Sequence, residues 1–416
     1  MKTSQTLPPR VMMSAATAIG AANSIVRGAR KSAMTEWATT RERWKRSAAY
    51  AIAMLSVGLL VSAMSPRALA ADAGPLCDPS RPAIVYRPDV APQSARGRTV
   101  LMPCRYDTGV EAGEPSFGFG RGGRIFYEAW HLEAPSNPSG VVRSNPQHTT
   151  WTDVSPPGLV TSFDPFLLVD PRTKRVFDVN FAGNGDFGCS TLSYTDDDGA
   201  NWTSTVLCDA GFDAESIGVG PPVYSKTVGY PNIVYFCASA TLGSAPPAST
   251  PVCLKSLDGG TTFVHITSPY PLLGAQDEFA PWAGPPIVGP DGTVYVPKRY
   301  GGEPFIAISH DEGGSWTDVQ VANNGDASEA NRAAVDPRGN VYYTWVGDDH
   351  LPYLATSSDE GQSWSAPVQV APPGVRETAL ARIAVDSASG DAAVVYLGSV
   401  NAPGVPPFFS FCQEFL

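Results

Sequence analysis

The chain has 416 residues, 17% of them charged and 10% aromatic, a composition that excludes a disordered protein. Its 40 glycines and 39 prolines follow no fixed period, which suits many short strands joined by tight turns in one large all-β domain or two smaller ones. Residues 71–416 carry 19 basic and 38 acidic residues, a net charge of −19. This balance argues against nucleic acid and anionic lipid as partners, because binding to both relies on lysines and arginines.

The N-terminal residues 1–70 differ in character from the rest. A basic cluster between Arg41 and Arg46 precedes an apolar run over 48–64, and Ala68-Leu69-Ala70 follows. This order predicts a secretory signal cut after Ala70, with an upstream extension that Met34 would remove if it were the true start. The alternative is an uncleaved membrane anchor, for which the run is slightly short. The protein is therefore expected to be secreted or held at the cell envelope.

Seven cysteines follow the predicted cleavage site. Their spacing suggests three local disulfides, Cys77–Cys104, Cys189–Cys208 and Cys237–Cys253, with Cys412 left over. No pair has the Cys-x-x-Cys spacing and no histidine lies near them, so a zinc site is not predicted. We expect no metal and no cofactor. Ca²⁺ at Asp196, Asp197 and Asp198 is the one alternative, against a solvated turn.

One eight-residue pattern, Ser/Thr-x-Asp-x-Gly-x-x-aromatic, recurs along the chain. Four copies span residues 195–202, 256–263, 309–316 and 357–364, and a decayed copy runs from Ser144 to Trp151, with Pro146 and His148 at the Asp and Gly positions. The Ser/Thr and Asp side chains can accept backbone N–H groups, the glycine takes a positive φ, and the aromatic residue packs onto the next strand. Each copy is therefore predicted to be a hairpin turn.

The spacing between copies is 51, 61, 53 and 48 residues. A period near fifty in a strand-rich chain is typical of one four-stranded propeller blade per repeat. Between the copies, the turns Asp170-Pro171, Pro290-Asp291 and Asp336-Pro337 each precede a β-rich run. No part of residues 71–416 has a helical period.

These four copies resemble the Asp-box repeats of the sialidase (neuraminidase) superfamily, and the resemblance covers residues 110–400. It implies an all-β, six-bladed β-propeller of four-stranded antiparallel blades over residues 110–416, preceded by a strand or linker segment at 71–109. The predicted blade starts are Glu114, Asp164, Pro221, Trp282, Arg332 and Arg382. Only 52 residues follow Trp364, so the sixth blade is expected to be incomplete, with two strands over 383–396. A strand at 83–86 or 99–102 is a candidate for closing the ring.

The resemblance implies that the Asp boxes lie away from the active centre, which sits where the innermost strands begin. Aligning the repeats places Arg332 and Arg382 at equivalent positions, four residues before Asp336 and Asp386. Acidic residues collect at the same level, and the candidate site residues are Arg332, Arg382, Glu114, Asp164, Glu329 and Glu377, with Asp277 and Glu278 nearby. The alternative is structural, with each arginine pairing with neighbouring carboxylates.

Sialidases hold the substrate carboxylate with three arginines and use a tyrosine nucleophile. The resemblance implies that Arg332 and Arg382 are two of these arginines and that Glu114 or Asp164 is the acid/base. Tyr224, Tyr230 and Tyr300 are candidate nucleophiles. The chain lacks the Phe/Tyr-Arg-Ile-Pro motif that supplies the first arginine in active sialidases, and Tyr86-Arg87-Pro88 is the nearest string.

Two functions therefore remain open from the sequence. The first is an exo-glycosidase of sialidase type that releases a terminal sialic or related acidic sugar. The second is a non-catalytic propeller that binds a glycan or a protein, with a C-terminally truncated version of either as a further alternative. In both readings the expected partner is a glycan or glycoconjugate, and the expected state is a monomer without a membrane span after cleavage.

Overall fold

The computed structural model divides into two units, Met1–Ala73 and Gly74–Leu416. It describes parts of the second unit, namely residues 82–83, 100–101, 113–130, 140–148, 150–158, 165–181, 189–208, 212–240, 251–270, 283–300, 302–324, 332–386 and 390–399. The predicted signal, most of the 71–109 segment, Cys77–Cys104 and Cys412 lie outside these residues.

The described residues form a six-bladed β-propeller, as the Asp-box spacing predicted. The first three blades each contain four antiparallel strands in sequence order, with the first strand innermost. Blade 1 contains β3 (Gly113–Phe119), β4 (Ile125–Trp130), β5 (Gly140–Ser144) and β6 (Trp151–Asp153). Blade 2 contains β7 (Phe166–Val169), β8 (Val176–Phe181), β9 (Cys189–Thr195) and β10 (Thr203–Cys208). Blade 3 contains β11 (Phe212–Gly220), β12 (Ile233–Ala240), β13 (Pro251–Ser256) and β14 (Val264–His265).

The next two blades repeat this plan, and the sixth has two described strands. Blade 4 contains β15 (Ile287–Val288), β16 (Val294–Tyr300), β17 (Glu303–Ser309) and β18 (Thr317–Gln320). Blade 5 contains β19 (Arg332–Val335), β20 (Val341–Val346), β21 (Pro352–Ser357) and β22 (Val368–Gln369). Blade 6 contains β23 (Glu377–Val385) and β24 (Ala392–Ser399), in agreement with the two strands predicted over 383–396.

Two of the predicted blade starts are wrong. Blade 3 begins at Phe212 rather than near Pro221, because Pro221-Pro222 follows the innermost strand and opens its connection to the second strand. Blade 6 begins at Glu377 rather than at Arg382, because a register shift between Ala379 and Arg382 lets β23 extend upstream. Prolines and turn residues mark both ends of a strand, so sequence alone could not assign them to one end.

The predicted closing strands also differ from expectation. Residues Pro82–Ala83 (β1) and Val100–Leu101 (β2) pair with each other, antiparallel, as a separate two-stranded sheet. Neither belongs to a blade sheet among the described residues. The expectation of no helical segments agrees with the described chain, whose only helical piece is a single 3-10 turn at Arg121–Gly123.

The core lies between the faces of neighbouring blades. Phe177, Leu192, Ile217 and Phe236 form one buried cluster between blades 2 and 3. Another cluster, centred on Tyr295, Tyr343 and Trp345, lies between blades 4 and 5. Strand alternation explains this arrangement, because each inner strand presents every second side chain to one neighbour.

All four clean Asp boxes connect the third and fourth strands of their blades. In the copy of blade 4, Ser309 Oγ donates to Asp311 Oδ1 at 2.8 Å and accepts the Gly313 N–H at 2.8 Å. Asp311 Oδ1 also accepts the Ser315 N–H at 2.8 Å. The other three copies repeat this network. The predicted turn chemistry is therefore confirmed, including a positive φ at each glycine.

The decayed copy occupies the equivalent place in blade 1. It lies between β5 and β6, where His148 has φ 57°. In two boxes the aromatic residue differs from the prediction, because it bonds to the preceding blade. Trp202 Nε1 donates to Val154 O at 2.8 Å and Trp316 Nε1 donates to Thr267 O at 2.7 Å, whereas Trp364 Nε1 donates within its own box, to Gly361 O at 3.0 Å. The boxes of blades 2 and 4 therefore join neighbouring blades.

Two of the predicted disulfides are present. Cys189–Cys208 joins β9 to β10, and Cys237–Cys253 joins β12 to β13. No helix among the described residues is long and apolar enough to cross a membrane.

Loss of the Cys237–Cys253 bond should destabilise blade 3. The bond closes a 16-residue separation, for which the loop-entropy model gives about 3 kcal/mol. Urea unfolding of C237A/C253A checks this, and C189A/C208A serves as the matched pair in blade 2. Reduction of C189A/C208A separates the Cys237–Cys253 crosslink from packing, since it breaks that bond without the blade 2 disulfide and keeps both buried sulfurs. An unfolding free energy unchanged by reduction would contradict the expectation.

Candidate functional site

The two ends of the propeller carry different connections. The Asp boxes and the turns between first and second strands lie at one end, which we call the Asp-box end. The innermost strands begin at the other, which we call the entry end. At the Asp-box end, Asp197 accepts hydrogen bonds from Asn201, which have the larger effect, and from Thr195. These bonds lower the pKa of Asp197 to about 2. An ionised, hydrogen-bonded carboxylate of this kind fastens a turn, and we assign the boxes no catalytic role.

The two predicted arginines lie on the innermost strands of adjacent blades. Arg332 opens β19, as the alignment predicted, and Arg382 lies within β23 rather than at its entrance. Both side chains are half-buried. Arg382 Nη1 donates to Ala381 O at 3.2 Å. Their equivalence on adjacent strands follows from the fold, whereas their role remains a prediction.

The predicted acidic residues are described only in part. Glu377 opens β23 opposite Ser399 and is 5% exposed, so it lies inside the blade rather than in an open funnel. The backbone of Glu114 lies in β3, while its side chain is outside the described residues. Asp164, Glu329, Asp277 and Glu278 are also outside them.

Two candidate nucleophiles lie at the wrong end of the propeller. Tyr224 and Tyr230 belong to the connection between β11 and β12, at the Asp-box end. Tyr224 is 77% exposed, whereas Tyr230 is buried and its hydroxyl donates to Asp170. Neither shares an end with the strand entrances, so we remove both as nucleophile candidates. The side chain of Tyr300 is not described.

An acidic pair that the sequence analysis missed is buried between blades 1 and 2. Glu128 on β4 and Asp178 on β8 are both 0% exposed. Each lies two residues after a member of one apolar cluster on the same strand, Glu128 after Phe126 and Asp178 after Val176. Asn180 Nδ2 donates to Asp178 Oδ2 at 2.8 Å, and neither Glu128 oxygen has a hydrogen-bond partner among the described residues. The pair is therefore rich in acceptors and poor in donors.

The surroundings of this pair favour protonation. Burial raises the pKa of Glu128 well above its usual value, and the adjacent Asp178 charge raises it further. Burial also raises the pKa of Asp178, to about 6, against the lowering effect of the neighbouring Glu128 and Asn180 side chains. Ionising both carboxyl groups is unfavourable, because two adjacent negative charges in a buried site repel each other. One proton held between them supplies the donor that the pair lacks.

A third carboxyl group extends the cluster to blade 3. Glu215 lies in β11, where the register shifts between Asp213 and Ser216, and is 3% exposed. Its charge also raises the pKa of Glu128. Across the axis the buried or half-buried cations are Lys298 on β16 of blade 4, Arg332 and Arg382. Glu128, Asp178 and Glu215 therefore lie on blades 1–3, and these three cations lie on blades 4–6. Glu377, on blade 6, is the exception among the buried carboxyl groups of the site.

One sequence signal was available for this cluster. Glu128, Asp178 and Asn180 are polar residues within apolar β-runs, at positions that alternate toward the same blade interface. The β-rich run after Asp170-Pro171 predicts a strand, but nothing in that run indicates that Asp178 is buried. Burial depends on the partner blade, fifty residues away in sequence.

Comparisons with known proteins assign neither a family nor a function to the chain. No family model and no curated protein matches the chain. The solved α-L-arabinanase of Penicillium chrysogenum, complexed with arabinobiose, is similar at 13% identity and TM-score 0.46, over 68% of this chain and 88% of that one. Aleuria aurantia lectin is similar at 11% identity and TM-score 0.45, over 68% and 88%. NanB is similar at 10% identity and TM-score 0.47, over 70% and 65%. At these values no residue or activity is carried over.

Proposed function

We propose that this protein acts on glycans and binds an acidic sugar at the entry end, as an exported exo-glycosidase of sialidase type. The observation that carries the proposal is the separation of charge across the axis. The buried carboxyl groups Glu128, Asp178 and Glu215 lie on blades 1–3, and the cations Lys298, Arg332 and Arg382 lie on blades 4–6; Glu377 on blade 6 and Arg175 on blade 2 are exceptions. An acidic sugar needs a cationic partner for its carboxylate and a proton donor for its leaving oxygen, and the two halves can supply these.

Each group has a defined part in this proposal. Arg332 and Arg382 pair with the sugar carboxylate, since guanidinium groups bind carboxylates through two parallel hydrogen bonds. The predicted acid/base, Glu114 or Asp164, protonates the glycosidic oxygen. The Glu128–Asp178 pair is 0% exposed and does not contact the sugar, but it holds a proton near neutral pH that can reprotonate the acid/base. Loss of that proton leaves the pair with a negative charge that Asn180 partly stabilises through its 2.8 Å hydrogen bond.

A second candidate function is glycan binding without hydrolysis. The observation that favours it is the complete burial of Glu128 and Asp178, since a side chain sealed between blades does not contact a ligand. In that case the pair only supports the blade interface, and the half-buried arginines bind the acidic sugar.

Hydrolysis of a fluorogenic sialoside by residues 71–416 tests the proposal. We expect turnover in the wild type and a fall of about a thousandfold or more in R332A/R382A, because both carboxylate partners are removed. R338A is the matched control, as Arg338 is exposed at the Asp-box end. Sialoside binding without turnover in a folded protein supports the second function. The absence of both binding and turnover would sink the proposal.

A further inference from the structure

A cluster of cations crosses the boundary between blades 1 and 2 at the Asp-box end. It consists of Arg121, Arg124, Arg143, Arg172 and Lys174, which we call the basic patch. Arg121 and Arg172 are exposed and the other three are half-exposed. Residues 71–416 contain only 19 basic residues against 38 acidic ones. The patch therefore contains about a quarter of the basic residues in this strongly acidic part of the chain.

Most of the patch cations face neutral atoms rather than carboxylates. Arg121 donates to Asp196 O and, at 3.0 Å, to Thr173 O. Arg143 donates to Asp198 O at 2.6 Å, and Lys174 donates to Phe119 O at 3.4 Å. Carbonyl oxygens fix these side chains without cancelling their charge. Among the described residues, only Arg124 of the five has a carboxylate within salt-bridge distance, Asp198 at 3.6 Å.

The nearby carboxylates are engaged elsewhere. Asp196 pairs with the buried Arg175 through bonds of 2.9 and 2.5 Å. Asp197 accepts hydrogen bonds within its own box, and Asp170 is 1% exposed beneath Tyr230 and Asn232. Asp196, 52% exposed, and Asp197 still contribute negative charge beside the patch, but the five cations outnumber them and are held in fixed positions.

The patch is not a consequence of the blade repeat. The turn and box of blade 5 contain one cation, Arg338, with three acidic residues. The turn and box of blade 2 contain three cations, Arg172, Lys174 and Arg175, with four acidic residues, and blade 1 adds Arg121, Arg124 and Arg143 beside them. The cations of blades 1 and 2 are therefore specific to this part of the chain.

We propose that the basic patch binds a polyanionic polysaccharide, one that carries carboxylate or sulfate groups. Its cations span two blades, which suits a polymer that contacts several charges at once. Side chains already held by carbonyl groups lose little rotamer freedom on binding. The net charge of −19 favours a polysaccharide of low charge density, such as one with a single carboxylate on each sugar, over nucleic acid and over highly sulfated polymers, because the rest of the surface repels a densely charged polyanion.

Retention on immobilised polygalacturonate and heparin, with uncharged dextran as the blank, tests the proposal. The patch variant is R121Q/R172Q/K174Q, in which glutamine keeps a donor at position 121. The matched control is K226Q/R338Q/R376Q, which removes three exposed cations from outside the patch. Thermal unfolding confirms that both triples are folded. We expect the patch triple to bind at least about tenfold more weakly at low salt, with a shallower salt dependence, and the control triple to bind nearly as wild type.

Three outcomes would overturn the proposal. They are equal weakening in both triples, no retention of the wild type on either polymer, and tighter binding to nucleic acid or anionic vesicles with the same dependence on the patch. Failure of the entry-end site is distinguishable, because hydrolysis of a small sialoside does not involve the patch. The patch triple should keep wild-type kinetics on that substrate, and R332A/R382A should keep its retention on the polymers.

Discussion

Replacing Glu312 with alanine should lower the free energy of unfolding by about 3 kcal/mol or more. Glu312 is the fourth residue of the blade 4 Asp box, and its side chain is 2% exposed. Its Oε1 accepts the backbone N–H groups of Val223, Tyr224 and Ser225 at 2.8 to 2.9 Å. Its Oε2 accepts the Ser225 hydroxyl and lies 3.2 Å from Lys255 Nζ. Alanine would leave all these donors without their acceptor.

The contacts of Glu312 explain why one side chain has such a large effect. The connection between β11 and β12 runs over 221–232 and is longer than the equivalent turns of other blades. It leaves Tyr224 77% and Val228 67% exposed, so burial of its own side chains contributes little to fixing it. Burial raises the pKa of Glu312, but hydrogen bonds from Ser225, Tyr224 and Lys255 outweigh this effect and lower it to about 2. The ionised carboxylate therefore holds the loop throughout the neutral range.

The chain offers a matched control for this experiment. Glu360 occupies the same box position in blade 5 and has nearly the same positive φ, 60° against 58°. Its side chain is half-exposed and lies 3.9 Å from His310. E360A therefore places alanine in the same backbone conformation but removes no side chain that holds a loop. We expect its free energy of unfolding to fall by about 0.5 kcal/mol or less. Urea unfolding of E312A, E312Q and E360A measures the difference, and equal losses in E312A and E360A would refute the anchoring role.

Stability should fall as the pH rises from about 5 to about 8. The folded-state pKa values of Glu128 and Asp178 are raised above their ordinary values, chiefly by burial. The folded protein therefore holds protons that the unfolded chain releases, and the associated stability is present below pH 4 and lost as the pH passes through the raised values. For Asp178, raised from 3.8 to about 6, the loss is about 3 kcal/mol.

Two variants assign this pH dependence to the pair. E128Q keeps the shape of Glu128 and removes one titrating group, so the melting temperature should vary less with pH. Burial also raises the pKa of Asp318 to about 6, so D318N is needed to remove that separate contribution. Asp197, Asp359 and Glu312 have pKa values lowered to about 2, so the stability that they contribute is lost only as the pH falls below about 5 and is constant across the window. A slope in E128Q identical to that of the wild type would show that the pair does not hold the proton.

The sequence alone determined the repeating architecture of this protein. The Asp-box turn depends on contacts within eight residues, as in Ser309 to Asp311 and Gly313, so each copy is visible in the local sequence. The spacing of the copies then predicted blades, and local cysteine spacing predicted Cys189–Cys208 and Cys237–Cys253. These features are local, which is why pattern alone was enough.

Only the tertiary structure decided the interior of the site and the joints between blades. Glu128 and Asp178 are fifty residues apart, and neither is unusual until two blades bury both carboxyl groups against each other. Glu312 appears in sequence as a variable box position, and its partners at 223–225 lie 87 to 89 residues away. The error at Pro221 has the same origin, because turn residues do not show which strand they follow. Burial and partner choice depend on packing between distant segments, and no local pattern in the sequence records that packing.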